Sequence, residues 1–166
     1  MLNSIHQVGN SPVQGRVEAI TKTASKRGKV IEIPHDIRDR MVAHAVAAIP
    51  NEACGLLAGR DGRVERFYPI TNVHETPRTK FELDSKEYLK AMEEMEDGDL
   101  QLAGIVHSHT HTAAYPSPTD VEKSEGVQQF FPDARFFLVS LRDQQPDVRG
   151  YVIKGAEIQE EQVSIT

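Results

Sequence analysis

The sequence predicts a mixed α/β domain of the α+β kind, in which a mixed β-sheet is flanked by helices. Strand-like runs outnumber helical ones, and residues 134–141 (ARFFLVSL) are the most strand-like of them. The Asp61-Gly62 pair indicates an antiparallel hairpin, whereas strands separated by helical segments need crossover connections. Because the chain has 166 residues and no internal repeat, we expect a single domain.

The chain begins with a stretch that differs from the rest. Residues 1–28 are polar and mildly basic, without a sustained hydrophobic period. They contain too little apolar surface to offset the entropy of ordering them, so we expect a disordered N-terminal extension. The domain is therefore predicted to span residues 29–166.

The first third of the domain is predicted to form a strand, a helix and a hairpin. The strand covers residues 29–33, and Asp36 is expected to cap a helix that Pro50 ends. An apolar strand bounded by glycines follows Glu52. The Asp61-Gly62 turn then returns the chain antiparallel to that strand.

The middle of the domain holds two more strands and a second helix. Residues 80–83 are predicted to be a strand. The segment from Asp84 to Glu87 (DSKE) is a capping box, which opens a helix with Leu89 facing inward. Residues 102–108 are predicted to be the central strand of the sheet.

The last part of the domain returns to the sheet. Ser117 is expected to cap a third helix, which ends near Gly126. Residues 134–141 and 148–154 are predicted to pair as antiparallel strands across a turn. Residues 156–165 are predicted to add an edge strand.

The composition argues against several classes of protein. A formal net charge of −6 does not suit a nucleic-acid-binding surface. No apolar run approaches the roughly 18 residues of a membrane span, and no signal-peptide hydrophobic region is found. Cys54 is the one cysteine, so we expect a small buried residue and neither a disulfide nor a cysteine-based zinc site. These features predict a cytoplasmic protein that binds neither nucleic acid nor membranes, with its oligomeric state left open.

A histidine pair follows the central strand. Gly104 to Val106 is a short apolar run, and His107 and His109 come next. Residues two apart on a strand point the same way, with Cα atoms about 6–7 Å apart, so both imidazoles can bind one ion. Zinc is the first choice, and Asp120 can supply a third ligand. Three protein ligands leave a fourth position open, which is typical of a catalytic zinc site.

The sequence Ser-Pro-Thr-Asp at residues 117–120 has a second interpretation. A Ser at the N-cap, a Pro at the first helical position and an acid at the third are typical of a helix start. Capping alone would explain Ser117 and Asp120. It does not compete with metal binding, because a helix N-terminus is a rigid support for a ligand.

Glu52 is the residue that would make a metal site catalytic. Zinc lowers the pKa of a coordinated water, and a nearby carboxylate can accept its proton and transfer it to a leaving amine. Most glutamates are solvated loop acids. The position of Glu52 directly before an apolar strand, in a chain with a candidate zinc triad, favours the catalytic interpretation.

These residues resemble the pattern of the JAMM, or MPN-plus, metalloproteases, and the likeness covers the chain except its N-terminal extension. The family has a Glu ahead of a Gly-Leu-Leu strand, then H-x-H, seven residues and S-x-x-D. Every position is present, at Glu52, His107, His109, Ser117 and Asp120. The resemblance implies one Zn²⁺ per chain on His107, His109 and Asp120. It also implies that Glu52 is the general base and that Ser117 stabilises the tetrahedral oxyanion.

The resemblance further implies a substrate. Family members cut the amide bond after the C-terminal Gly of ubiquitin-fold proteins. The short bacterial members, which this chain resembles most, release cysteine from a sulfur-carrier protein. We therefore expect zinc-dependent hydrolysis of a carrier–Gly–Gly–cysteine bond. The alternatives are a deubiquitinase-like isopeptidase acting on another ubiquitin-like protein and a non-catalytic MPN scaffold, although scaffold members have lost ligand positions that this chain retains.

His111 lies two residues past His109 and would face the same ion on an extended strand. The chain is leaving the strand there, and the triad is already complete with Asp120. We expect His111 to be a substrate-side or solvated loop residue.

Overall fold

A computed structural model describes residues 30–166 of the chain, and the expectation for residues 1–28 lies outside them. The predicted mixed sheet flanked by helices is confirmed. Among the described residues, none of the helices is long and apolar enough to span a membrane. The elements of this part of the chain are β1 Ile31–Ile33, α1 His35–Ala48, β2 Cys54–Arg60, β3 Arg63–Ile70, α2 Ser85–Asp97, β4 Gln101–His109, α3 Pro118–Phe130, β5 Arg135–Ser140, β6 Asp147–Lys154, β7 Glu157–Glu161 and β8 Val163–Ile165.

All strands join one sheet, in the order β7-β6-β5-β4-β2-β3-β1-β8. The predicted central strand is confirmed as β4, which pairs antiparallel with β2 and parallel with β5. The expected edge strand within residues 156–165 is confirmed as β7, and the same segment also forms the opposite edge of the sheet as β8. β7 pairs with β6 and β8 pairs with β1, although Gln162 alone separates β7 from β8. The sheet must therefore curl, because its two edge strands are consecutive in the chain and only one residue separates them.

The two faces of the sheet bury separate hydrophobic clusters. Side chains alternate along a strand, so neighbours on β4 belong to different faces. Ile105 lies in the cluster that includes Ala91 and Met95 of α2. Val106 lies in the cluster that includes Ile37 and Met41 of α1. α1 thus covers one face, while α2 and α3 lie on the other.

Two predicted helix starts differ from the structure in their caps. Pro34 occupies the N-cap position of α1 and no side chain caps the helix, so Asp36 is an acid in the first turn and not the cap. Asp84 caps α2 as predicted, with its carboxylate accepting bonds from two backbone N–H groups. The second half of the predicted capping box is wrong, because Glu87 accepts bonds from the backbone N and the hydroxyl of Thr71.

Three further expectations need correction. Residues 80–83 are not a strand, since Leu83 forms only an isolated bridge with Asn72. Leu89 is 60% exposed and does not face inward. α3 continues past Gly126 to Phe130, and Gly126 is exposed in the helix without a positive φ that would end it.

Candidate metal centre

His107 and His109 lie at the carboxyl end of β4, the middle of the sheet. Both side chains are on the α2 and α3 face and both are buried. Their Nε2 atoms are 3.2 Å apart. The period of two along a strand therefore brings two imidazoles to one point, as the sequence predicts.

Asp120 reaches the same point from the start of α3. Ser117 is the N-cap of this helix, and its hydroxyl accepts a hydrogen bond from the Asp120 backbone N. The Asp120 carboxylate in turn accepts bonds of 2.7 Å from the Ser117 backbone N and from the Ser117 hydroxyl. The predicted capping interaction is thus present, and it holds the carboxylate facing the histidines.

The three side chains fit a tetrahedral zinc ion. The Asp120 carboxylate oxygens are 3.1 Å from His107 Nε2 and 3.5 Å from His109 Nε2. The first distance ends on Oδ1 and the second on Oδ2. Both are close to the edges of about 3.3–3.4 Å of a tetrahedron with bonds of about 2.0–2.1 Å. One ligand atom from each residue lies within 4.8 Å of the others, so the group could hold a metal ion.

The protonation states of Asp120 and His107 also suit a metal. Burial would raise the pKa of Asp120, but hydrogen bonds with His107 and His109 hold it well below its usual value, so the group is a carboxylate. Burial lowers the pKa of His107 and favours the neutral imidazole that a metal requires. His109 Nδ1 lies 2.8 Å from the carbonyl oxygen of Ala113, an acceptor only, so Nδ1 must donate. Burial would lower the pKa of His109, but hydrogen bonds with Asp120 and the Ala113 carbonyl raise it. When the ring is neutral, it presents the Nε2 lone pair to the cluster.

Phe81 is a part of the centre that sequence reasoning missed. Its ring stacks on the His107 ring, with centroids 4.5 Å apart and an interplanar angle of 22°. His107 Nδ1 is buried without a hydrogen-bond partner among residues 30–166, so stacking holds the ring on that side. No local pattern could reveal this contact, because Phe81 lies 26 positions before His107 in a segment predicted to be a strand.

Glu52 lies beside the cluster and is 8% exposed, so it is not a solvated loop acid. Its backbone N donates to the carbonyl of Pro77, and its own carbonyl accepts from the side-chain amide of Asn72. Ser108 holds the next residue, because its hydroxyl accepts from the Ala53 backbone N at 2.8 Å and its backbone N donates to the Ala53 carbonyl.

The environment of the Glu52 carboxyl changes its acidity. Burial raises its pKa to about 7. The charge of Asp120 adds to this shift, whereas the charges of His109 and Lys123 oppose it. A carboxyl group with a pKa near neutrality can both accept and donate a proton at neutral pH.

Two other residues considered as reactive or ligating groups lie outside the cluster. His111 is exposed and is not among the grouped ligands, in agreement with its predicted place in a loop. Cys54 is 1% exposed, and burial raises the pKa of its thiol to about 12. The expected burial of Cys54 is confirmed, and at that pKa the thiol is a poor nucleophile.

With this geometry in place, the family can be assigned. Residues 34–154 match Prok-JAB, the family of prokaryotic homologs of the JAB domain, and the chain belongs to that family. The resemblance to the JAMM or MPN-plus metalloproteases that the sequence indicates is confirmed.

Similar proteins carry related descriptions. The chain is 45% identical over 139 residues to a protein of Mycobacterium tuberculosis named CysO-cysteine peptidase, covering 82% of this chain and 91% of that protein. It is 38% identical over 97 residues to a probable TtuB-protein conjugate cleaving protease of Thermus thermophilus, and the match covers 58% of this chain and 65% of that protein. A solution structure of a protein from Desulfitobacterium hafniense matches with a TM-score of 0.72 and 35% identity, covering 82% of this chain and 92% of that one.

Proposed function

We propose that this protein is a zinc-dependent peptidase that hydrolyses the bond after the C-terminal glycine of a ubiquitin-fold sulfur carrier and releases cysteine. The observation that carries the proposal is the buried cluster of His107, His109 and Asp120, with the separations of a tetrahedral zinc site and a buried Glu52 beside it. The relative named CysO-cysteine peptidase supports this substrate, because the chain matches 91% of that protein at 45% identity.

In the proposed mechanism, His107, His109 and Asp120 hold one Zn²⁺ per chain. When bound, zinc supplies a Lewis acid that polarises the scissile carbonyl and activates water. Glu52 accepts the proton of the attacking water and returns it to the leaving amine. The Ser117 hydroxyl, which donates its one proton to the Asp120 carboxylate at 2.7 Å, would turn that proton to the tetrahedral oxyanion.

Two alternatives make different predictions about the substrate. An isopeptidase acting on another ubiquitin-like protein is favoured by the name of the Thermus relative, a TtuB-protein conjugate cleaving protease. A non-catalytic MPN scaffold is disfavoured by the retention of all five motif residues: Glu52, His107, His109, Ser117 and Asp120.

The zinc-loaded protein should release free cysteine from a CysO–cysteine conjugate. We expect an unfolded peptide with the same tail to be a much poorer substrate, because binding energy from the folded carrier helps to position the reacting amide. The measurement is kcat/KM for cysteine release from each. Equal turnover of peptide and carrier would indicate a general peptidase. Cleavage of isopeptide conjugates of another ubiquitin-like protein, with no cleavage of the carrier conjugate, would favour the isopeptidase alternative.

A further inference from the structure

A cavity of about 340 Å³ opens beside the metal-binding cluster. Two of the candidate ligands, His107 and Asp120, form part of its wall, so a molecule in the cavity would lie next to these two ligands. Most of the remaining wall is apolar, and the side chains that form it are Phe81, Leu83, Ile105, Val127 and Phe136. A cavity of this kind beside a reactive centre is suited to one side chain of a substrate.

One cationic side chain, Lys123, also lines this cavity. It lies on α3 one turn after Asp120, and residues three apart share a helix face. Its ammonium group lies 4.2 Å from the centroid of the Phe81 ring and donates to the Phe81 carbonyl oxygen. The Phe81 ring therefore contacts both residues, because the Lys123 ammonium lies over it and the His107 ring stacks on it.

The Lys123 ammonium has no carboxylate partner in the described part of the chain. The ion pairs formed among residues 30–166 do not include it. The acids that act on it from a greater distance are Asp120, Glu52 and Glu82, of which Glu82 is exposed at the cavity wall. A partly buried ammonium without a counter-ion, next to an apolar wall, is suited to an anionic group of a ligand.

This inference rests on the proposed function, which decides whether the substrate residue before or after the scissile bond occupies the cavity. The residue before the bond is glycine, which has no side chain to fill an apolar space. The residue after the bond is a single C-terminal cysteine, which has a small apolar side chain and a free α-carboxylate. The apolar side chain would pack against the apolar wall, and the α-carboxylate would bind the Lys123 ammonium.

We propose that Lys123 binds the α-carboxylate of the leaving residue, while the wall at Phe81 and Val127 accepts its side chain. Lys123 is then a specificity residue, since an isopeptide conjugate continues into a second protein and has no carboxylate at this position. The long lysine stem lets the ammonium turn from the Phe81 ring to the ligand while keeping its three donors.

The test compares two forms of the carrier conjugate that differ in one charge. One is CysO ending in Gly-Gly-Cys as the free acid, and the other is the same protein with a C-terminal amide. We expect kcat/KM of the wild-type enzyme to favour the acid about 10- to 100-fold, the range of a hydrogen bond between charged groups. Lys123→Met should bring the acid-to-amide ratio near one, and Lys123→Arg should restore most of it. Lys90→Met, on an exposed side chain of α2, is the matched control and should keep the wild-type ratio.

A binding measurement separates this inference from the proposed function. Glu52→Gln should bind the conjugate and cleave it about 10²–10⁴-fold more slowly. Calorimetry on this variant can therefore compare the affinity for the acid with that for the amide, with and without the second change Lys123→Met. Cleavage of both forms at equal rates by the wild-type enzyme would overturn the role of Lys123 and leave the proposed function intact. Tighter binding of the acid that depends on Lys123, without any cleavage by the wild-type enzyme, would support the subsite and overturn the function. An equal loss for acid and amide in Lys123→Met would show a structural role and overturn the inference.

Discussion

Two neighbouring residues of β4 show that buried polar groups on the two faces of the sheet differ in their hydrogen-bond partners. Ser108 faces the α1 side, where its hydroxyl and its backbone N bond the two polar backbone atoms of Ala53. His107 faces the other side, where its Nδ1 has no partner among the described residues. Its Nε2 meets a second imidazole and the Asp120 carboxylate.

Within this one strand, Ser108 contributes to stability, whereas His107 belongs to the candidate reactive centre. A buried polar group without a partner costs about 1–3 kcal/mol, so a face that serves packing keeps its polar groups paired. The α2 and α3 face instead concentrates buried ionisable groups at one point, with His107, His109, Asp120 and Glu52 all buried. We infer that the α1 face supports the fold and that the opposite face holds the reactive centre.

The largest expected effect comes from removing a candidate ligand on the reactive face. His107→Ala and Asp120→Ala should each lose bound zinc and all measurable cysteine release, because two remaining ligands cannot hold the ion in place. Elemental analysis of the purified variants measures the metal. His111→Ala is the control and should keep about one zinc per chain, since His111 is exposed and outside the cluster. Full zinc content in both ligand variants would show that the metal site is assigned wrongly.

Glu52→Gln sharpens the comparison within the reactive face, because it separates the base from the ligands. Glutamine keeps the shape of the side chain but cannot accept the proton, so kcat should fall about 10²–10⁴-fold. Zinc content and melting temperature should stay at wild-type values. Glu122→Gln, at an exposed position of α3, is a suitable control. Wild-type turnover by Glu52→Gln on a substrate that the enzyme cleaves would contradict the mechanism.

A change on the α1 face should affect stability more than metal binding. Ser108→Ala leaves the buried Ala53 N–H without its acceptor and should lower the free energy of unfolding by about 1–3 kcal/mol. Zinc content should remain near one per chain, because Ser108 does not face the cluster. Urea unfolding of the variant, beside Ser85→Ala at an exposed position, provides the measurement. Loss of zinc without loss of stability would contradict the division between the two faces.

The smallest effect is expected from deleting residues 1–28. We propose that residues 29–166 are sufficient for the domain, since the contacts of the reactive centre within the described part of the chain come from residues 52–120. The sheet pairing begins at Ile31, which pairs with Val163. Melting temperature, zinc content and cysteine release should all match those of the full chain. A clearly lower melting temperature would mean that the deleted residues contribute to the fold.

Local patterns predicted the elements best where one physical rule dominates. Continuous apolar runs located β2, β4 and β5, and the Asp61-Gly62 pair located the hairpin turn, where the two residues have positive φ angles of 52° and 85°. The same patterns failed where a distant contact decided the outcome. Glu87 completes the sequence of a capping box, yet its carboxylate binds Thr71, 16 residues away. Leu89 follows the helical period but meets no partner that would bury it.

The sequence by itself determined that His107 and His109 share one side of a strand and that Ser117 and Asp120 start a helix, because both depend on spacings of two and three residues. Only the tertiary structure decided the surroundings of these groups. The burial that raises the pKa of Glu52, the stacking of Phe81 on His107 and the place of Lys123 in the cavity all join residues far apart in the chain. Such contacts form only when segments far apart in the chain pack together, and no local period of the sequence encodes them.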